Sequence, residues 1–244
     1  MMNIVTFNGV SIPNFVIVTG VTFDAIGDIS IQELNVPMRI GGIDNGVTRG
    51  GKNIQLTCKI VKKDKSIHEY ADELKQWLKG NEWRASKLTL SEQPGYYYMA
   101  RALNSVSIDD LYAVGETTID FYASDPVKYK EGHSEKTSKD GVLEFSYRGV
   151  EDSPLSISFT ALLNMEGVSF TQLNTGRTTS LSGSIKSGDT IEIDSDKKVV
   201  KVNGKTNMNL LSLSNDWLYG SRGLNIIREP SGVANLKVKY QERM

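Results

Sequence analysis

One cysteine, two histidines and six prolines are all that the 244 residues hold of those types. A lone Cys58 excludes an intramolecular disulfide and any zinc site built from cysteines. Two histidines leave little for metal ligation or for a serine–histidine triad. No excess of either charge is present: the formal net charge is −1, so the basic footprint of a nucleic-acid binder is missing. Apolar runs stay far below the roughly 18 residues that cross a bilayer. The start of the chain has no basic segment followed by an apolar core, which gives the expectation of synthesis in a cytoplasm.

What the chain does have is alternation. In "IQLTCKI" the apolar residues Ile54, Leu56, Cys58 and Ile60 recur at every second position, the pattern of a strand with one face in a core. Ser11–Phe23, Asn53–Val61, Ser86–Glu92, Tyr96–Ile108 and Gly115–Ser124 all read as strands. One segment has another period. In "SIHEYADELKQWLKG", Ser66 and Glu69 form a capping box; Tyr70, Ala71, Leu74, Trp77 and Leu78 then recur at helical spacing up to the stop at Gly80. This predicts one helix, packed by its apolar stripe on the sheet of the N-terminal half.

The polar stretch Glu131–Gly141 marks a boundary, giving domains 1–130 and 131–244. Beyond it, short strands at intervals of about 8–12 residues point to a β-sandwich. The fold class is mainly β, with one helix in the first domain.

Few residues support chemistry. "GVTRGGKN", Gly46–Asn53, nearly matches a phosphate-binding loop, but Asn53 replaces the hydroxyl residue and an alternating strand comes next where a helix is needed. Gly41–Gly51 instead reads as a glycine-rich loop between strands, or as an arm that orders on meeting a partner. Gly41, Gly42, Gly46, Arg49, Gly50 and Gly51 are therefore the candidate contacts. His68 falls in the first helical turn and His133 in the polar stretch, without triad partners. Cys58 lies on an apolar strand face, where a buried thiol is inert. Tyr96 and Tyr98 share one face of their strand and Tyr97 the other; with Trp77, Trp83 and Trp217 they read as core residues before ligand platforms. The pairs Asp109–Asp110 and Asp194/Asp196 read as turn residues, not as glycosidase carboxylates.

The acidic stretch "SGDTIEIDSDKKVVKVNGK", Ser187–Lys205, could suggest a cation site. It lacks the ligand spacing of a calcium loop, and Lys197 and Lys198 oppose a cation. It reads as a hairpin: Ile191 and Ile193 on one face, a polar turn at Asp194–Lys197, then Val200 and Val202.

Taken on to Gly220, this hairpin resembles the C-terminal signature of the distal tail proteins of siphophages that infect Gram-positive bacteria. The pattern is Gly188-Asp189, Asn203-Gly204, a leucine-rich segment, then Asp216-Trp217. Earlier features are similar too: "GGIDNG", the single helix, "EQPGYYYMARA" and "IDFYASDPVKY". The resemblance implies an N-terminal belt domain in a homo-hexameric ring, and a galectin-like C-terminal β-sandwich outside it. It implies a virion protein at the distal end of the tail, joining the tail tube, the tape-measure protein and a tail-associated fibre or lysin, with receptor-binding proteins as further partners. DNA would pass the ring without specific binding. The resemblance implies no catalysis, cofactor, metal or membrane. The alternative is a carbohydrate-binding β-sandwich that contacts the host wall.

Overall fold

The alternating segments form antiparallel strands, in a computed structural model that describes residues 4–61, 64–103, 116–139, 141–212 and 215–244. The chain divides into two units, Met1–Lys128 and Tyr129–Met244. The first contains β1 (Val5–Phe7), β2 (Val10–Ser11), β3 (Val16–Phe23), β4 (Ile29–Leu34), β5 (Ile43–Arg49), β6 (Lys52–Ile60), α1 (Ile67–Lys79), β7 (Ser86–Leu90), β8 (Tyr96–Ala102) and β9 (Glu116–Ala123). Its sheet runs in the order β2-β1-β7-β8-β9-β6-β3. Beside the edge strand β3, β6 lies along β9 from Lys52↔Ala123 to Lys59↔Glu116, and Ile54, Leu56 and Cys58 point into the core.

The helix forms where its spacing predicts. The Ser66 hydroxyl accepts from the Glu69 N–H, and the Glu69 carboxylate accepts from the Ser66 N–H at 2.8 Å, so two orphan donors of the first turn are satisfied. Gly80 ends the helix at φ 50°, and a Cβ there would stand 2.6 Å from the Phe7 ring. The buried stripe Tyr70, Leu74, Trp77 and Leu78 faces the sheet. Trp77 meets Phe7 and Phe121 edge to face, each at 5.9 Å, and its indole N–H donates to the Val10 carbonyl at 3.0 Å. That polar handle lets the indole be buried without an orphan donor.

The second unit contains β10 (Tyr129–Lys130), β11 (Ser134–Thr137), β12 (Val142–Tyr147), β13 (Ser153–Pro154), β14 (Ser156–Ala161), β15 (Met165–Thr171), β16 (Thr178–Ile185), β17 (Thr190–Asp194), β18 (Val199–Val202), β19 (Lys205–Thr206), β20 (Tyr219–Gly220), β21 (Gly223–Arg228) and β22 (Val233–Tyr240). One sheet runs β11-β22-β14-β17-β18-β19. The ladders β12-β21 and β15-β16 are tied by a bridge between Gln172 and Ile227. Inward residues of both layers interdigitate, as where Phe159 of β14 meets Phe170 of β15 at 4.9 Å. This is a β-sandwich.

Four readings of the sequence change. Ser11–Phe23 is two strands, because Pro13 interrupts the ladder and its carbonyl turns the chain by accepting from Val16 N. Glu131–Gly141 is not mere linker; it supplies β11, an edge strand whose exposure suits its polarity. Trp83 is not core but 50% exposed, in a turn at φ 63° just past the helix. The glycine-rich Gly41–Gly51 is no loop: most of it is β5. Residues 104–108 of one expected strand, and the Asp109–Asp110 pair, lie outside the described residues.

Replacing Trp77 by Ala should lower the unfolding free energy by about 3–5 kcal/mol, as for other large buried aromatics. Ser66→Ala should cost only about 1 kcal/mol, through the lost cap. Urea unfolding followed by tryptophan fluorescence and circular dichroism checks both.

Candidate functional site

β4 and β5 pair with each other and with no other strand among the described residues, forming a two-stranded arm between β3 and β6. Every residue of both strands is exposed. The register places Ile29 opposite Arg49, Ile31 opposite Val47 and Ser30 opposite Thr48. Opposed residues share a face, so one face of the root half of the arm carries Ile29, Ile31 and Val47, with Arg49 opposite Ile29. Its other face carries Ser30, Gln32 and Thr48. This is the alternation of a half-buried strand, yet nothing among the described residues covers it.

Further out, the apolar character grows. Met38 and Ile40 at the tip are 107% and 103% exposed, and Ile26, Leu34 and Ile43 also lie open. Together the apolar residues of the arm expose on the order of 1,000 Å2, against about 300–600 Å2 for the largest apolar patch on an ordinary monomer. The tip is a turn in which Arg39 N donates to the Val36 carbonyl at 3.2 Å. Pro37 sits at the position proline favours, and Met38 takes φ 67° where glycine is usual.

The candidate glycines now have places. Gly41 (φ 82°) and Gly42 lead from the tip into β5. Gly46 (φ 100°) lies where the register shifts, its N–H donating to the Asp44 carboxylate at 2.8 Å. Gly50 and Gly51 form the root: Gly50 N donates to the Asp28 carbonyl at 2.6 Å, and Asp28 N to the Gly51 carbonyl at 3.1 Å. Side chains do not fit there. A Cβ on Gly51 would stand 2.4 Å from the Tyr122 ring, and one on Gly27 2.6 Å from the Gly50 carbonyl. Next in line, Lys52 is 5% exposed, its ammonium over the rings of Phe23 (4.7 Å) and Tyr98 (5.1 Å). Burial, and then the charge of Lys128, push its pKa down. Arg49 sits on the arm opposite Ile29. The sequence Gly46–Asn53 thus runs from the arm into the strand β6.

In the second unit the residues of the acidic stretch do separate jobs. Asn203 (φ 50°) and Gly204 (φ 78°) form the two-residue turn between β18 and β19, the type that demands positive φ twice. The Asn203 side chain donates to Asp189 at 2.8 Å and accepts from Thr190 N at 2.9 Å. Asp189 also accepts from Lys186 N. The Gly188-Asp189 and Asn203-Gly204 pairs of the signature are therefore one clamp, and these hydrogen bonds, the Asn203 side chain first, hold the Asp189 carboxyl below its usual range. Asp194 accepts from the N–H groups of Asp196 and Lys197, closing the β17–β18 turn. Asp216 N donates to the Thr178 carbonyl, Trp217 packs on the core, and Leu218 is fully buried.

Glu192, Asp194 and Asp196 line a cleft of ≈ 450 Å3 with Tyr129, His133 and Tyr240. Two of these carboxylates already have cations, Glu192 with Lys201 at 3.1 Å and Asp194 with Lys197 at 3.5 Å. Among the described residues no group of three or more His, Cys, Asp or Glu side chains is arranged to hold a metal ion. His68 is exposed on the first helical turn. Cys58 is fully buried, and desolvation pushes its thiol up to about 12, which keeps it protonated and unreactive. Tyr97 and Tyr98 are both buried on opposite faces of β8.

One polar element escaped the sequence reading. Gln172 and Asn225, both fully buried, bond at 2.8 Å, and Asn225 further donates to the Ser221 and Gly223 carbonyls. An isolated Gln and Asn 53 residues apart give no signal in sequence.

Comparison with known proteins places this fold among components of phage tails. Residues 149–244 match the family described as siphovirus-type tail component, C-terminal domain. The chain as a whole has the fold of a distal tail protein. It aligns over 100% of both chains, with a TM-score of 0.80 and 13% identity, to the crystal structure of SPP1 Dit, described as a paradigm of the hub adsorption apparatus in phages infecting Gram-positive bacteria. A chain of the phage P2 baseplate in its activated conformation with calcium matches more distantly, at a TM-score of 0.46 and 8% identity over 100% of this chain and 99% of that one. No curated protein matches in sequence.

Gly51→Ala should destabilise the first unit by about 1–3 kcal/mol through overpacking. Gly41→Ala, in open space, should cost only the about 1 kcal/mol of left-handed backbone strain. Thermal or urea unfolding of the two variants separates them. For Asp189 the folded pKa lies below the unfolded value, so its contribution is complete above about pH 4 and is lost as pH falls through the folded value. Asn203→Ala should raise the Asp189 pKa toward the ordinary value and destabilise the protein at about pH 7 more than at about pH 2. An NMR titration of the carboxyl, with unfolding curves at both pH values, checks this.

Proposed function

We propose that the protein is the hub of a siphophage tail tip: a homo-hexameric ring formed by the first unit that joins the tail tube and the tape-measure protein to a tail-associated fibre or lysin. The observation that carries this reading is the uncovered apolar arm. An apolar surface of that size marks an interaction site, and a ring of identical subunits buries it six times with one kind of contact. Such a ring needs heterologous contacts, in which one edge of a subunit meets a different edge of the next. Gly41, Gly42, Gly46, Arg49, Gly50 and Gly51, all on the arm or at its root, are then contact or contact-shaping residues. The domain limits 1–130 and 131–244 go with this reading. The role is structural, without catalysis, in the distal tail of the virion after synthesis in the host cytoplasm. Receptor-binding proteins are further partners.

The cleft of the second unit supports a second reading, direct contact with wall carbohydrate. Tyr129 supplies an aromatic ring there, and Glu192 and Asp196 supply acceptors for hydroxyl groups. A glycan array of Gram-positive wall polysaccharides is the test. Binding lost on Tyr129→Ala would favour this reading, and silence across the array would end it.

Light scattering coupled to gel filtration should give the mass of a hexamer, with six-fold rings in electron micrographs. Ile31→Lys and Val47→Lys, both on exposed positions, should leave the fold intact by circular dichroism. Each should raise the concentration at half assembly by about tenfold or more, the equivalent of about 1.4 kcal/mol per contact. A strict monomer at every concentration, with the tail-associated protein present or absent, sinks the ring.

A further inference from the structure

Nothing among the described residues covers the arm, and the first unit holds a groove of matching character. Between α1 and the β1–β2 hairpin runs a groove of ≈ 490 Å3, with Phe7, Val10, Pro13 and Trp77 as its apolar walls and Glu73 and Gln76 on its rim. Val10, at the outer edge of the sheet, is 59% exposed. The arm tip is the convex counterpart: Met38 and Ile40 project fully, with Arg39 between them. In the isolated chain the tip holds Met38 in a left-handed conformation that costs a non-glycine residue energy, while its side chain stays wholly in solvent.

We propose that the arm tip of one copy docks in the α1–β2 groove of the next copy. Four observations favour a second copy as occupant. The exposed apolar side chains of the tip, Met38 and Ile40, lie at the end of an arm whose strands are exposed throughout, which marks it as an interaction surface. Arm and groove are unlike surfaces on one unit, so the contact is heterologous and can propagate around a ring. Met38 and Ile40 meet apolar walls. The Arg39 guanidinium meets a rim of Glu73, whose carboxylate also engages Lys65, and Gln76, both of which offer oxygen acceptors. The inference rests on the ring reading and adds to it where the arm goes.

The test is a disulfide trap in the full chain, Ile40→Cys with Gln76→Cys, under mild oxidation. Cys58 is buried and protonated, so the background is silent. The expected result is a reducible ladder of covalent multimers ending at the ring size, absent from either single variant. Val10→Arg, at an exposed position, should remove the ladder without changing the unfolding curve. A ring of correct mass with no ladder overturns the groove as acceptor while leaving the ring itself standing. A disulfide formed only within one chain, or assembly only around a different tail protein, also overturns it. Failure to assemble at any concentration removes the ring reading, and the groove with it.

Discussion

The first unit depends on a close approach of backbones at the root of the arm. β3 and β6 are neighbours in the sheet, and the chain between them must leave the sheet and return through one narrow gate. Paired hydrogen bonds between Asp28, Gly50 and Gly51 close that gate, and Gly27 and Gly51 have no space for a Cβ. Behind the gate the Tyr122 ring covers Gly51, and Lys52 is packed between aromatic rings. An arm launched from so tight a base keeps a defined direction even though its strands lie wholly outside the core. The root thereby couples the packing of the sheet to the aim of an exposed surface.

A different logic holds the second unit. Its signature residues look like a ligand site in a linear reading because they are acidic and clustered. In space they are fasteners. Asp189 and Asn203 lock the entry to β17 against the exit from β18, Asp194 folds the turn between them, and the segment around Asp216 clips to β16. Short strands bury few residues each, so side-chain hydrogen bonds at the turns fix a register that the strands alone would leave loose.

How much of the molecule was legible in the sequence depends on how local each feature is. The capping box, helical stripe and two-residue turn at Asn203-Gly204 are each decided within a few residues, and the structure has them where the spacing puts them. Strands with a clean period, such as β6, were equally plain. Three features were not. β5 hid behind its glycines, because Gly46 serves a bulge, Gly41 lies at the tip, and Gly50 and Gly51 form the hydrogen-bonded root, while among the described residues the strand between them pairs only with β4. The signal was present in Ile29, Ile31 and Val47, but alternation implies a buried face and this face is bare. The Gln172–Asn225 node joins distant positions that carry no mark. Trp83 looked like core by residue type alone, and the turn beyond Gly80 left it outside.

The register shift at Gly46 bears on the hazards of carrying such an arm. A flat, regular, apolar hairpin is a template: its unpaired edges accept any other strand, and growth by edge pairing ends in fibres. A bulge twists the outer half of the arm away from the inner half, and Glu33 opposite Asp44 sets two carboxylates on the strip an incoming strand would have to match. β3 has a bulge of its own, between Val18 and Gly20, at the other open edge of the sheet. The bulges and the facing carboxylates thus guard the backbone edges against strand addition while the apolar side chains of the arm stay exposed.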